Sequence, residues 1–415
     1  MKRQDVLRYD QSCRLCLSDR VITVLQLTPT PLEDQFVAEV KRAQVQPLYP
    51  LDLAICESCG YVYLPYVVSP DASYEDYAYV SSVTVGLRGH YDEYANDVAR
   101  DFAVLPNSLA VDLGSNDGSM LASFKRLGFR ALGVEPAARI AKQANRAGLS
   151  TINDFFTAEV VSRIVTDHGL AGIVSANYMY ANIDDVVGFT KAVSSLLAPD
   201  GIFVVQTGYH PEQMKIRMFD YIYHEHFSYF SVDVLKGLFE KCGLELIHVQ
   251  KISPKGGSVR VVGQLRNGIR PIDGSVQRFI EDERRQGIRD PETYRRFAQE
   301  IAECKSELLD LLNALKTNGK RIVGFGASHS TTTLIYHFGL ESFLEYLVDD
   351  NALKHGRFSP GHHIPVFPSG RLLEDRPDYV LVLGWQHQRS IMNRHRSYAS
   401  QGGRWIVPLP SLQVL

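Results

Sequence analysis

The sequence lacks the features that define several large classes of protein. No apolar run approaches the roughly 18 residues of a membrane span, and the first ten residues, MKRQDVLRYD, contain no apolar core of a secretion signal. Lys and Arg total 44 against 47 for Asp and Glu, a net charge of −3, which argues against a general nucleic-acid or anionic-membrane binder. We therefore expect a cytoplasmic protein that binds neither membranes nor nucleic acids.

Cysteine is sparse, with six residues in 415, yet four of the six form two C-x-x-C pairs. Cys13 and Cys16 form the first pair, and Cys56 and Cys59 form the second. In a chain without a secretion signal, such pairs favour a metal over disulfides. Together they supply the four thiolates of a closed tetrahedral zinc site, which would be structural because no coordination position stays open. The alternative is two unrelated cysteine pairs.

A strand, a glycine-containing turn and a helix follow one another in the middle of the chain, in SLAVDLGSNDGSMLASF. Leu109 to Leu113 form the short apolar run of a buried parallel strand. Gly114 and Gly118 allow the backbone to turn tightly beside a ligand. The next strand ends in Glu135 and Pro136, where a carboxylate is placed to accept hydrogen bonds from ribose hydroxyls.

This layout fits either a dinucleotide or S-adenosylmethionine. The dinucleotide fingerprint G-x-G-x-x-G is absent, and Asn116 and Asp117 place side chains where a pyrophosphate would approach bare backbone. S-adenosylmethionine carries no phosphate, and its cationic sulfonium and ammonium groups suit an acidic turn. The turn therefore favours S-adenosylmethionine.

Two later segments add candidate contacts to this cofactor. An apolar strand ends at Asn177, and NDFF follows a third short strand. Asp154 is placed to bind the exocyclic amine of adenine, and Phe155 to stack on its ring. Core packing is the equal alternative for Phe155 and Phe156. Strand–helix alternation through this region predicts a doubly wound α/β sheet.

The C-terminal part begins with a long helix and then repeats the strand–turn–helix layout. Asp290 caps the predicted helix, Gly319 ends it, and Cys304 lies on its apolar face. The following turn, GFGASHSTTT, offers Ser328, Ser330 and Thr331 to an anionic ligand. The alternative is a second, smaller Rossmann-like unit that only encloses the cleft.

The segment YIYHEHFSYF, residues 221–230, admits three interpretations. A metal site is disfavoured because His224 and His226 are two residues apart, whereas H-E-x-x-H requires a helical spacing of four. A structural role would place the aromatic rings in the core. In the third interpretation a histidine is a general base, Glu225 orients it, and Tyr223 donates to an oxyanion.

Taken together, these motifs resemble those of the S-adenosylmethionine-dependent sugar C-methyltransferases. The resemblance covers essentially the whole chain and rests on nine segments in order: YEDYAYVSS, VDLGSNDGSML, GVEPA, NDFF, YIYHEHFSYFS, KGGSVRV, VGFGAS, SPGHHIPV and GGRWIVPLP. It implies an α/β protein with a zinc-binding N-terminal domain over residues 1–80. A class I Rossmann-like methyltransferase domain would occupy 81–290, and a Rossmann-like nucleotide-sugar domain 291–415.

The resemblance also implies a reaction and its residues. The substrate would be an NDP-linked 4-keto-deoxysugar, with dTDP, GDP or a similar nucleotide, and the enzyme a monomer. His226 would remove the C3 proton with Glu225 beside it and Tyr223 nearby, and Tyr79 would lie near the sugar. The C4 ketone would carry the enolate, and C3 would accept the methyl group with inversion. His224 is assigned a structural rather than a catalytic role.

The chain departs from the family pattern in three places. Asn182 and Lys255 stand where many members have histidine, and the turn at GASHSTTT lacks the usual following lysine. These changes leave open which sugar and nucleotide are bound. They also keep two alternatives in view: an O- or N-methyltransferase of a sugar or small metabolite, and a binding protein that uses the same scaffold.

Overall fold

The computed structural model describes residues 6–69, 87–253 and 256–415. Tyr79, Lys255 and the YEDYAYVSS segment lie outside these ranges, so the expectations attached to them stay predictions. Among the described residues, no helix combines the length and the apolar character needed to cross a membrane.

The N-terminal part is a small antiparallel β unit. Its strands are β1 (Leu7–Tyr9), β2 (Val21–Thr30), β3 (Val37–Ala38), β4 (Tyr49–Cys56), β5 (Val62–Tyr63) and β6 (Tyr66–Val68). β2 and β4 pair in antiparallel register, with Val21 opposite Cys56. β4 alternates toward the core as its sequence YPLDLAIC suggests, and it leads directly into the second cysteine pair because Cys56 is its last residue.

The central part is a seven-stranded sheet between helices. Its helices are α1 (Leu87–Asp101), α2 (Ser119–Arg126), α3 (Ala138–Arg146), α4 (Ala158–His168), α5 (Val186–Leu196), α6 (His210–Lys215), α7 (Val232–Lys241) and α8 (Gly274–Gln286). Its strands are β7 (Leu109–Leu113), β8 (Arg130–Val134), β9 (Thr151–Ile152), β10 (Ala171–Asn177), β11 (Leu197–Gly208), β13 (Leu244–Ile252) and β14 (Ser258–Leu265).

The order of this sheet is β13-β14-β11-β10-β7-β8-β9, and β14 alone runs opposite to the other strands, antiparallel to both β13 and β11. All five residues of β7 are buried, as the short apolar run predicted. The sequence LLAPDG, residues 196–201, is typical of a turn that ends a helix, and α5 does end at Leu196. β11 already begins at Leu197, and its pairing with β10 then slips so that Ile173 lies opposite Ile202.

One short strand of the central chain segment belongs to the N-terminal sheet. β12 (Ser228–Tyr229) pairs antiparallel with β5, with Ser228 opposite Tyr63. The four-stranded sheet of the N-terminal unit therefore has the order β12-β5-β4-β2. As a result, the histidine-containing segment 221–230 runs from the central unit directly into the N-terminal unit.

The C-terminal part begins with the long helix α9 (Pro291–Thr317) and continues into a six-stranded sheet. The C-terminal part contains the strands β15 (Ile322–Phe325), β16 (Leu347–Asp349), β17 (Arg357–Phe358), β18 (Val366–Pro368), β19 (Tyr379–Val382), β20 (Arg404–Val407) and β21 (Gln413–Val414), of which all but β17 belong to this sheet. Its helices are α10 (His329–Phe338), α11 (Arg371–Asp375), α12 (Gln388–Arg394) and α13 (Arg396–Ser400). The sheet order is β18-β16-β15-β19-β20-β21, and β17 instead pairs with β3.

The predicted features of α9 are confirmed. The Asp290 side chain accepts a hydrogen bond from the Glu292 N–H at 2.9 Å, and Gly319 follows the helix with a φ of 69°. Cys304 is buried, so its assignment to the core is confirmed. Leu312 is fully buried, whereas the predicted Leu311 is only partly so.

Candidate active site and zinc centre

The four cysteines of the two C-x-x-C pairs converge on one point. Their sulfur atoms all lie within 4.8 Å of one another, with Cys13 Sγ 3.6 Å from Cys59 Sγ and Cys16 Sγ 3.5 Å from Cys56 Sγ. Zn–S bonds of 2.3 Å in a tetrahedron place the sulfurs about 3.8 Å apart. The hydrogen bond between Cys13 and Cys59 lowers the pKa of Cys13 to about 5 and raises the pKa of Cys59, so one thiol of this pair ionises readily. The site therefore fits the predicted structural zinc.

A cavity of about 1190 Å³ joins the central unit, the 221–230 segment and the C-terminal unit. Six of the nine residues assigned to the cofactor line it: Gly114, Asn116, Glu135, Pro136, Phe155 and Asn177. Tyr223, Glu225 and His226 line the same cavity. The glycine turn after β7 and the candidate base His226 thus line the same cavity. The sequence indicated this only through the roles assigned to the two segments.

The turn after β7 is held by the carboxylate after β8. Glu135 Oε2 accepts the Asn116 N–H at 2.9 Å, and Oε1 accepts the Ala137 N–H at 2.8 Å. Burial raises the pKa of Glu135, although these two amide hydrogen bonds act in the opposite direction. Gly114 has a φ of 65°, and a Cβ there would lie 2.9 Å from Met179 Cγ. Glycine is therefore required on both conformational and steric grounds.

Three of the predicted cofactor residues do not line the cavity. Asp117 Oδ1 accepts hydrogen bonds from the Ser119 N–H at 3.1 Å and the Ser119 hydroxyl at 2.7 Å, so its carboxylate caps the start of α2. Gly118 precedes α2 with a φ of 80°. Asp154 Oδ2 lies 3.2 Å from Arg163 Nη1 at the surface. Their roles in cofactor binding stay predictions.

The two phenylalanines of NDFF take different environments. Phe155 is 52 % exposed and lines the cavity. Phe156 packs edge-on against Phe189, with 5.1 Å between the ring centroids. Phe156 is partly buried and lines the cavity as well. Phe155 is therefore available for stacking, and Phe156 contacts both the cavity and the core.

Asp112 is a cavity residue that the sequence analysis missed. It lies within the buried strand β7, where Ser175 Oγ donates to its Oδ1 at 2.6 Å and Asn177 Nδ2 donates to the same oxygen at 3.2 Å. Burial raises the pKa of Asp112 to about 7. An acidic residue within the apolar run LAVDL was the available signal, since buried carboxylates are rare unless they are paired or functional.

His226 is hydrogen-bonded through both ring nitrogens. Its Nδ1 lies 3.3 Å from the Tyr221 carbonyl oxygen, which can only accept, so Nδ1 carries the proton in the neutral ring. Nε2 then accepts from the Tyr223 hydroxyl at 3.0 Å. Burial raises the pKa of Tyr223 well above its usual value, so the hydroxyl stays protonated. The geometry pairs an unprotonated imidazole nitrogen with a phenol donor.

His224 points away from this pair and is 2 % exposed. Its Nδ1 lies 3.4 Å from Glu33 Oε2, and its ring packs against Tyr49. It does not line the cavity. This environment agrees with a structural role.

The N-terminus of α10 also opens onto the cavity through Ser328, His329 and Ser330. His329 Nε2 lies 3.9 Å from Glu225 Oε1 and 3.7 Å from Asp34 Oδ2. Thr331, by contrast, is turned inward and completes a capping box with Ser328. Of the three hydroxyl residues predicted to meet an anion, two thus face the cavity. Asn182, one of the departures from the family pattern, lines it as well.

His90, Tyr91 and His387 line the cavity without having been predicted. His90 Nε2 lies 2.9 Å from Gln206 Nε2 and 3.2 Å from Gln206 Oε1, and burial lowers its pKa. These residues lie in segments with no distinctive motif. Only the folding of α1 and of the loop after β19 against the sheet brings them to the site.

Comparisons with known proteins identify relatives along the whole chain. C-methyltransferase NovU of Streptomyces niveus is 34 % identical over 413 residues, covering 99 % of this chain and 98 % of that protein. Family models match a zinc binding domain over residues 13–74, a methyltransferase domain over 91–249 and a C-methyltransferase C-terminal domain over 253–410.

Among solved structures, the chain is similar to the CcbJ methyltransferase of Streptomyces caelestis, at 14 % identity and a TM-score of 0.34, over 47 % of this chain and 95 % of that one. Magnesium protoporphyrin IX methyltransferase of Synechocystis gives 12 % identity and a TM-score of 0.35, over 46 % and 90 %. The whole-chain match to NovU decides the assignment: the chain belongs to the S-adenosylmethionine-dependent C-methyltransferases with a zinc-binding N-terminal domain.

Proposed function

We propose that this enzyme methylates carbon 3 of an NDP-linked 4-keto-deoxysugar in branched-sugar biosynthesis. The observation that carries the proposal is the His226–Tyr223 pair, 3.0 Å apart, in the cavity that also contains Gly114 and Glu135. A carbon nucleophile beside a ketone needs two groups: a base for the C–H proton and a donor for the enolate oxygen. This pair provides both.

In the proposed reaction, His226 Nε2 takes the C3 proton and the C3–H electrons move into the C4 carbonyl. The Tyr223 hydroxyl donates to Nε2 in the free protein, so it would turn to the substrate when the sugar binds and leave Nε2 free to act as the base. Kept protonated by its raised pKa, it then donates to the oxygen that becomes negative. Glu225 orients the base, and Tyr79 would lie near the sugar. When bound, S-adenosylmethionine would supply an electrophilic methyl group, transferred to C3 with inversion: the enolate electrons form the C3–CH3 bond, the C4 carbonyl is restored, and the S–CH3 bond breaks to release S-adenosylhomocysteine. The proton leaves His226 as the imidazole returns to its neutral form.

The cofactor and the sugar nucleotide would lie at opposite sides of the cavity. Glu135, Asn116, Phe155 and Asn177 support a cofactor position beside the central sheet. Ser328 and Ser330, at the N-terminus of α10, support a position for the diphosphate. We propose that the enzyme works as a monomer.

A panel of NDP-4-keto-deoxysugars, incubated with methyl-labelled S-adenosylmethionine and followed by mass spectrometry and NMR, tests the proposal. We expect the label on C3. Label on oxygen or nitrogen would instead establish the alternative, an O- or N-methyltransferase of a sugar or small metabolite. The absence of label from every 4-keto-sugar of the panel would reject this substrate class.

A further inference from the structure

The segment that carries the proposed base is held by the N-terminal zinc-binding unit on both sides of His226. On one side, the Glu225 N–H donates to Glu33 Oε1 at 2.9 Å. On the other, the Phe227 carbonyl accepts from Arg14 Nη2 at 2.8 Å. Both neighbours of His226 along the chain are thus fixed by residues more than 190 positions away.

Strand pairing adds to these two contacts. The Leu64 N–H donates to the same Phe227 carbonyl at 3.1 Å, and Ser228 then pairs with Tyr63. β12 is only two residues long, and strands of that length have no stability of their own. The path of the chain after His226 therefore depends on the N-terminal sheet.

Arg14 lies between the zinc ligands Cys13 and Cys16, so the metal site fixes its backbone. Its side chain is only 9 % exposed. Besides Phe227, it contacts Asp184 Oδ1 at 3.0 Å through Nη1, and its guanidinium lies 5.0 Å from the centre of the Tyr63 ring. A planar guanidinium satisfies these partners at once, whereas an ammonium group has no such fork.

Glu33 is 1 % exposed and is held from the other two units. Its second carboxylate oxygen faces His224 Nδ1 at 3.4 Å, and its backbone carbonyl accepts from Thr332 Oγ1 of α10 at 3.0 Å. The adjacent Asp34 pairs with Lys354. A buried carboxylate is tolerated only with such partners, so its position, and with it the Glu225 amide, is closely defined.

We propose that Arg14 and Glu33 are positioning residues, through which the zinc-binding unit holds His226 at the acceptor substrate. The inference rests on the proposed function only in naming His226 as the base. The N-terminal unit thus contributes to the reaction as well as to stability. Folding around zinc fixes the position of Arg14. Arg14 and Glu33 then fix the two peptide groups on either side of His226.

Hydrogen–deuterium exchange, which requires no substrate, tests the contacts directly. In Glu33→Ala, the peptide spanning residues 221–230 should exchange about tenfold faster at the Glu225 amide, since one hydrogen bond to a charged acceptor is lost. Glu33→Gln keeps an acceptor oxygen and should remain close to wild type. Arg14→Lys should raise exchange at Leu64 and in 221–230. Arg20→Gln is the matched control, because Arg20 belongs to the same unit but is exposed and pairs only weakly with Glu57.

Kinetics on the same proteins separate positioning from a merely structural role. Zinc content and melting temperature first establish that each variant is folded. We then expect kcat to fall about ten- to a hundredfold in Arg14→Lys and Glu33→Ala, as for small misplacements of a catalytic group, with unchanged affinity for S-adenosylmethionine and recovery in Glu33→Gln.

Exchange and kcat in Arg14→Lys and Glu33→Ala that match Arg20→Gln would overturn the proposal. If wild-type enzyme methylates no 4-keto-sugar while the exchange results are as expected, the proposed function fails and the positioning contacts stand.

Discussion

Arg14 and Phe227 are 213 residues apart in sequence, yet Arg14 Nη2 donates to the Phe227 carbonyl at 2.8 Å. Arg14 lies between Cys13 and Cys16. This hydrogen bond therefore links the first cysteine pair to Phe227, the residue that follows the candidate base His226. The zinc centre and the active site are therefore parts of one structure, although the sequence presents them as separate motifs. The consequences can be tested at the active site and at the zinc centre.

His226→Asn should abolish turnover while leaving the affinity for S-adenosylmethionine near that of wild type. The amide removes the proton acceptor but preserves much of the size and polarity of the side chain. Isothermal titration measures the affinity, and a labelled-methyl assay measures turnover. In D2O without methyl donor, the wild type should exchange the C3 hydrogen of a 4-keto substrate. Exchange or turnover that persists in His226→Asn would contradict its role as the base.

Purified protein should contain about one equivalent of zinc per chain, held by the four clustered cysteines. Cys16→Ser should lose the metal and lower the melting temperature, because the binding free energy of a structural zinc contributes to folding. Elemental analysis and thermal unfolding measure the two effects. Cys242→Ser is the control, since Cys242 is buried outside the cluster and should retain the zinc. Equal zinc content in both variants would refute the assignment.

The affinity for S-adenosylmethionine should increase with pH up to about 7, because burial raises the pKa of Asp112 to about 7. A cationic ligand favours the carboxylate, so binding below this pH must release a proton, and the affinity should rise by about tenfold per pH unit. Asp112→Asn should remove this slope. Titrations between pH 5.5 and 8 test the expectation, and a slope preserved in the variant would exclude Asp112 as its origin.

Rising pH should increase cofactor affinity but decrease the stability of the cofactor-free protein, and the raised pKa of Asp112 accounts for both effects. Between about pH 4 and pH 7 the folded protein retains a proton on Asp112 that the unfolded chain has released. The contribution of Asp112 to the free energy of unfolding should therefore decrease as pH rises through this interval. Urea unfolding at several pH values measures the free energy of unfolding of wild type and Asp112→Asn. As the pH rises through this interval, the wild type should lose stability relative to the variant.

Phe155→Ala and Phe156→Ala should separate binding from stability. Phe155 is exposed in the cavity. An aromatic contact contributes about 1 kcal/mol, so removal of the Phe155 ring should weaken S-adenosylmethionine binding by about fivefold, with little change in stability. Phe156 packs on Phe189, so its removal should cost on the order of 2 kcal/mol of stability. Isothermal titration and urea unfolding distinguish the two. The reverse pattern would mean that the stacking residue is misassigned.

Much of the fold and part of the site follow from local sequence patterns. The apolar run of β7, the capped helix α9 and the cysteine pairs were all predicted, because burial, capping and metal chemistry leave signals within a few residues. The roles assigned to Gly114 and His226 implied that they serve one reaction, and both line the same cavity. Asp112, His90 and His329 were not found, because their importance lies in what packs beside them.

Local sequence patterns specify the chemical groups that this protein contains: four thiolates for zinc, a turn without the dinucleotide glycines, and a histidine beside a glutamate and near a tyrosine. How these groups are connected follows from the folded chain alone. Both Phe155 and Phe156 line the cavity but Phe156 also packs on Phe189, and β12 leaves the central unit to join the N-terminal sheet. The physical reason is that strand pairing and the burial of charged groups are satisfied by partners distant in sequence, and local patterns do not encode which partners those are.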